Sequence, residues 1–174
     1  MEDFNFSSNV VYENLDSLRA SYPFLEVSSA GRSVLGKDIP YIRVGRGQKE
    51  VFYSAAFHAN EWITTPLLMK FVEILSKAYV NNTNVYGYNA RELFNQVSLY
   101  IVPMVNPDGV DLVTGIFSPG TTIYQNSKAI ADNFPDIPFP SWWKANIAGV
   151  DLNLQFPAGW DQAREIKFAQ GFNK

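Results

Sequence analysis

A chain of 174 residues in which 47% are apolar and 18% charged has enough material for one packed domain, and it is not the composition of a disordered segment. A formal charge of -3 and an isoelectric point near 5.1 argue against a basic phosphate-binding face, so nucleic acid is not expected as a partner. The absence of cysteine excludes disulfides and thiolate metal ligands, and no apolar run reaches the ~18 residues of a membrane span. The acidic start, Met1 to Phe6, has no basic and apolar leader pattern, so a soluble cytoplasmic protein is expected.

In chain order, Ser7-Ser8-Asn9 offers a helix N-cap, and Val11, Leu15, Leu18 and Tyr22 recur at helical spacing until Pro23. Leu25 to Arg32 and Ile39 to Val44 shorten to strand length around the turn residues Gly36-Lys37-Asp38, which predicts a hairpin. Pro40 predicts that its second strand lies near a sheet edge. Val51 to Phe57 reads as a buried strand. From Thr64 to about Tyr79 the pattern is helical, with Leu67, Leu68, Phe71, Val72 and Leu75 on the face expected to lie on a sheet. Pro66 is tolerated only in a first turn, so the helix starts near Thr65 and Glu61 falls in its entry.

Ala90 to Gln96 predicts a short helix and Val97 to Pro103 a second buried strand, ending in the turn signal Asn106-Pro107-Asp108-Gly109. That tetrapeptide is taken as scaffold. Beyond it the chain loosens: turn residues to Gly120, weak helical character over 121–133, then a proline-rich run from Phe134 to Pro140. Trp142, Trp143 and Trp160 suit either a groove wall or core beneath a long loop. Arg164, Glu165 and Lys167 suit a solvated helix face. Strands alternating with helices predict an α/β fold, a mixed and mostly parallel sheet flanked by helices, in one domain over 1–174.

His58-Ala-Asn-Glu61 lies between the strand at 51–57 and the helix after it. An imidazole and a carboxylate three residues apart can meet at one zinc ion, since both donors reach it at roughly 2.0–2.2 Å. A zinc site needs at least three protein ligands, and His58 is the only histidine in the chain. Taken alone the pair is weak, because such spacings arise by chance.

Four blocks in order strengthen it: Ser29 to Ile39, Phe57 to Trp62, Val102 to Gly109, and Gly149-Val-Asp151-Leu-Asn153. Together they resemble the zinc carboxypeptidase family. Trp143-Lys-Ala-Asn146 and Asp151 to Trp160 look most like its bacterial branch of γ-D-glutamyl-L-diamino acid endopeptidases. The resemblance implies that His58 and Glu61 are metal ligands and that Asn153 grips substrate. It implies a metallopeptidase acting on cell-wall-type peptides, with zinc-bound water as nucleophile.

It also implies a later histidine ligand and a general-base glutamate that this sequence lacks, hence a truncated domain with zinc weak or absent. Leu154 stands where the carboxypeptidases carry an arginine, and Ala148 where the family pattern has another. Asp151 either orients His58 through its second ring nitrogen or caps a loop. The alternatives to a peptidase fragment are a non-catalytic peptide- or metal-binding remnant and one half of a split enzyme. In the last case a sheet edge would be left exposed to a complementing chain or to self-association.

Overall fold

The computed structural model describes residues 6–171, so the acidic start and the Asn173-Lys174 end lie outside the described residues. The elements are α1 (Ser8–Ser21), β1 (Glu26–Arg32), β2 (Asp38–Val44), β3 (Lys49–Ser54), α2 (Thr64–Asn81), β4 (Asn84–Val85), β5 (Tyr88–Asn89), α3 (Ala90–Gln96), β6 (Val97–Val102), α4 (Pro107–Val113), α5 (Thr122–Ala131) and α6 (Trp160–Ala169). Short 3₁₀ turns occupy Ala59–Glu61 and Leu152–Leu154. The fold is α/β, with a four-stranded sheet in the order β1-β2-β6-β3 and a separate two-stranded ribbon of β4 and β5.

The sheet is mixed, but the expectation of mostly parallel strands is corrected. Only β3 and β6 run parallel, while β1 pairs with β2 and β2 with β6 antiparallel. One crossover, through α2 and α3, is all that the described residues contain, and a hairpin contributes the rest.

Pro40 is also misplaced by the sequence rule, because β2 is an inner strand. Its bonding to β6 covers only Ile42 to Val44, paired with Ile101 to Leu99, so the missing N–H of Pro40 interrupts nothing. Opposite it on β1 the register slips between Ser29 and Gly31, the latter at φ 144°.

The stretch 51–57 is not a buried strand. β3 ends at Ser54 and is an outer strand among the described residues, with Phe52 61% and Tyr53 44% exposed. An apolar run reports what a strand can bury, and no neighbour covers this one here. The helix face is adjusted too: α2 buries Thr65, Met69, Val72, Leu75, Ser76 and Ala78, whereas Leu67 is exposed.

The main core joins Val11 and Leu15 of α1, Ile42 and Val44 of β2, Met69 and Val72 of α2, and Ile101 of β6. The start of α1 is held by an unexpected partner. Ser7 makes no side-chain cap bond; instead the Ser8 backbone N–H and hydroxyl donate to the buried Asp111 carboxylate at 2.7 and 2.6 Å. Lys37 also pairs with Asp111.

The loop from β2 to β3 is pressed equally hard on the junction of α3 and β6. A Cβ on Gly47 would sit 1.8 Å from the Gln96 carbonyl carbon, so only glycine fits.

Asn106 to Gly109 forms no β-turn but the start of a helix. The Asn106 side chain accepts from Gly109 N–H at 3.1 Å, and Pro107 takes the first helical position, where its missing N–H costs nothing. The chain therefore does not loosen after Gly109: Pro107 to Leu112 are all buried.

Candidate metal centre

The site is built where the sheet ends. Ser54 closes β3, Ala55 N–H still donates to Val102 O at 3.0 Å, and Ala56 then turns through φ 50°. A left-handed alanine is strained, and its surroundings hold it: its N–H donates to Thr64 Oγ1 at 3.0 Å, and its carbonyl accepts from Asn106 N–H at 3.1 Å. The same Thr64 hydroxyl donates to Glu61 O at 2.8 Å and closes the turn from above.

From below, a second apolar cluster of Ala59, Leu112, Trp143 and Ile147 seats the turn. Two backbone bonds strap the Trp143-Lys144 segment to it, from Ala59 N–H to Lys144 O at 3.0 Å and from Asn60 N–H to Trp143 O at 3.1 Å. Asn106 Nδ2 adds bonds to Phe57 O at 3.3 Å and Ala145 O at 3.0 Å.

The result is a fixed imidazole between two carboxylates. His58 Nδ1 is 3.0 Å from Glu61 Oε1, and His58 Nε2 is 3.1 Å from Asp151 Oδ1. Asp151 Oδ1 also accepts from Asn153 N–H at 3.1 Å. A neutral imidazole has one N–H, so it can donate to only one carboxylate at a time. An ion taking the place of the Glu61 contact would leave the Nε2 hydrogen for Asp151, the arrangement by which an outer carboxylate fixes the tautomer of a metal-bound histidine.

Two ligands at roughly 2.0–2.1 Å on a tetrahedral zinc ion stand about 3.3 Å apart. The 3.0 Å spacing of Nδ1 and Oε1 is close to that. The pair therefore fits zinc as part of a donor set. It does not close one: among the described residues no three His, Cys, Asp or Glu side chains could hold one ion. Asp151 is no substitute, since it meets the opposite ring nitrogen.

All four residues singled out from the sequence come together. His58, Glu61 and Asn153 line one cavity of about 240 Å³ with Ser54 to Phe57 and Thr64, and Asp151 touches His58. Asp151 lies against His58 Nε2, and its side chain also caps the Leu152–Leu154 turn. The sequence reading missed Thr64 and Asn106 as the residues that pin the turn. Thr64 carried a local signal, a hydroxyl three residues beyond Glu61; Asn106 carried none beyond its N-cap pattern. Of the tryptophans, Trp143 is core and Trp142 is exposed.

With the geometry in place, comparisons with known proteins give consistent matches. The sequence profile of the family described as zinc carboxypeptidase matches residues 11–171. Gamma-D-glutamyl-L-diamino acid endopeptidase 1 of Lysinibacillus sphaericus is 46% identical over 157 residues, 90% of this chain and 39% of that protein. The uncharacterized protein YqgT of Bacillus subtilis (strain 168) is 37% identical over 158 residues, 90% of this chain and 41% of that one. The chain thus spans about two-fifths of the length of these relatives. The crystal structure of a metallo-carboxypeptidase from Burkholderia cenocepacia superposes with a TM-score of 0.59 at 20% identity, over 94% of this chain and 38% of that one.

Proposed function

The chain belongs to the zinc carboxypeptidase family, and from that premise we propose that it supplies the first part of a zinc peptidase site directed at γ-D-glutamyl-diamino acid peptides of cell-wall type. One observation carries the reading: His58 presents Nδ1 beside Glu61 while Asp151 occupies Nε2.

In this reading His58 and Glu61 hold the ion, and Asp151 keeps the Nε2 hydrogen and the ring plane fixed. Asn153, pinned through its N–H to Asp151 and lining the same cavity, offers its amide to the substrate. Bound zinc would bring the pKa of a water down to about 7 and polarise the scissile carbonyl. The third ligand and the general base lie outside this donor set, so the chain by itself holds zinc weakly and turns nothing over. Leu154 places no cation beside Asn153 for a free C-terminal carboxylate, which favours a substrate cut within the chain. The name of the Lysinibacillus relative supports the γ-D-glutamyl class.

The test is zinc titration of the purified chain against a chromophoric chelator, with His58→Ala and Glu61→Ala beside it. Weak binding lost in both variants is expected, with no hydrolysis of a γ-D-glutamyl-diaminopimelate peptide. Binding unchanged by either substitution would refute the ligand assignment.

A second reading, a half that needs a complementing chain or self-associates, is favoured by the exposed Phe52 and Tyr53 on the outer strand β3. Phe52→Lys should then lower the sedimentation coefficient at high concentration. A wild-type monomer under those conditions would exclude self-association.

A further inference from the structure

The turn that carries His58 and Glu61 is held at its middle and at its ends by different means. Its middle is strapped by backbone bonds alone, from Ala59 and Asn60 to Lys144 and Trp143. Its ends meet at one side chain. The Thr64 hydroxyl accepts from Ala56 N–H at 3.0 Å, two residues before His58, and donates to the backbone oxygen of Glu61 itself at 2.8 Å. A hydroxyl has one hydrogen to give and two lone pairs to receive, so the two bonds do not compete.

What the hydroxyl holds at the entry is strained. Ala56 stands at φ 50°, a conformation that alanine keeps only where its surroundings impose it. The residue is 3% exposed, so water is poorly placed to take over its N–H. Without the hydroxyl the backbone gains by relaxing towards negative φ, and rotation at Ala56 moves His58, which lies before the first strap. The imidazole has little room for that movement: Nδ1 is 3.0 Å from Glu61 Oε1 and Nε2 is 3.1 Å from Asp151 Oδ1.

We propose that Thr64 is a positioning residue of the metal centre: its hydroxyl keeps Ala56 left-handed and Glu61 turned back, and so sets the gap between Nδ1 and Oε1 before an ion enters. This rests on the reading of His58 and Glu61 as ligands. Thr64 lines their cavity, but its hydrogen is committed to Glu61 O, and it acts through the backbone rather than on the ion. Thr64 is itself exposed, so Thr64→Val, which keeps the shape and removes the hydroxyl, leaves the core packed.

The experiment is the chelator titration with zinc on the full chain, for the wild type, Thr64→Val and Thr64→Ser, with imidazole ¹⁵N spectra of the metal-free proteins. His58 is the only histidine, so a single pair of ring-nitrogen signals reports it. Thr64→Val should weaken zinc binding by about 10–100-fold and move the ring signals, and Thr64→Ser should restore both. Glycine rests at φ 50° without strain. Ala56→Gly added to Thr64→Val should therefore return most of the affinity, and where Thr64→Val alone does not fold, this double variant should match Ala56→Gly. A residue that merely starts a helix would lower Tm and leave affinity and ring signals as in the wild type. That result, or a loss that neither serine nor glycine restores, would overturn the proposal. Zinc binding indifferent to His58→Ala would instead remove the ligand assignment, and the metal-free ring signals would still decide whether Thr64 sets the imidazole.

Discussion

Replacing Asp111 by alanine tests the bond that attaches the first helix to the rest of the molecule. Asp111 lies on α4 at 1% exposure and, among the described residues, is the side-chain acceptor of both Ser8 N–H and the Ser8 hydroxyl. Its loss leaves two buried donors at 0% exposed Ser8 without that partner, at roughly 1–3 kcal/mol each. It also removes the partner of Lys37, whose side chain is 24% exposed and keeps the Phe117 ring at 5.0 Å and Asp108 Oδ1 at 3.9 Å. These losses overlap, and breaking one partner of a largely buried charged pair costs about 3–5 kcal/mol in all.

For a chain of this size each kcal/mol lowers Tm by about 2–4 °C, so a drop of roughly 6–20 °C is expected. Urea and thermal unfolding followed by circular dichroism measure it. Asp132→Ala, which breaks an exposed pair with Lys128 on α5, is the matched control and should cost less than about 1 kcal/mol. If Asp111→Ala costs no more than that control, the cap is not a structural attachment and the reasoning fails.

Gly47→Ala should destabilise by about 4 kcal/mol or more, because the new methyl meets backbone of Gln96 that cannot move aside; a loss below about 1 kcal/mol in urea unfolding would show that the loop yields. Asp151→Asn should weaken zinc binding by about 10–100-fold in the chelator titration, and an unchanged affinity would remove Asp151 from the site. Tyr12, which donates to Asp38 O at 2.8 Å, has its hydroxyl pKa pushed up to about 12 by burial first and then by Asp111, Asp38 and Asp108. A pKa raised by folding from 10.0 means that the folded state holds the proton more tightly. The stabilisation is therefore complete below pH 10 and is lost as pH rises through about 12. Tyr12→Phe should flatten that decline in urea midpoints, and identical pH profiles would contradict the assignment.

Elements set by local periodicity were legible in the sequence. The first helix, the hairpin of β1 and β2, the helix at 90–96 and the strand β6 lie within a few residues of where their patterns place them. What periodicity cannot carry is the company an element keeps. Val51 to Tyr53 have a core composition, yet Phe52 and Tyr53 are exposed because coverage belongs to other segments. Asn106-Pro-Asp-Gly suits a β-turn and a helix start equally, and the choice was made by Asn106 capping Gly109 while its amide reached Phe57 and Ala145.

The site divides in the same way. His58 and Glu61 are three residues apart, so a tight turn is enough to bring them together. The approach of Asp151 across 93 positions of chain depends on the Trp143-Lys144 strap, which left no local trace.

The place of β6 in the sheet sets the order in which the molecule can come into being. It is the strand that touches both β2 and β3, and it is the last of the four to leave the ribosome. Until residue 102 has emerged, the nascent hairpin and the nascent β3 share no ladder of their own. Translation must therefore carry two unjoined pieces of sheet through the synthesis of everything between them, and a pause just before β6 would prolong the interval in which chaperones find those strands bare.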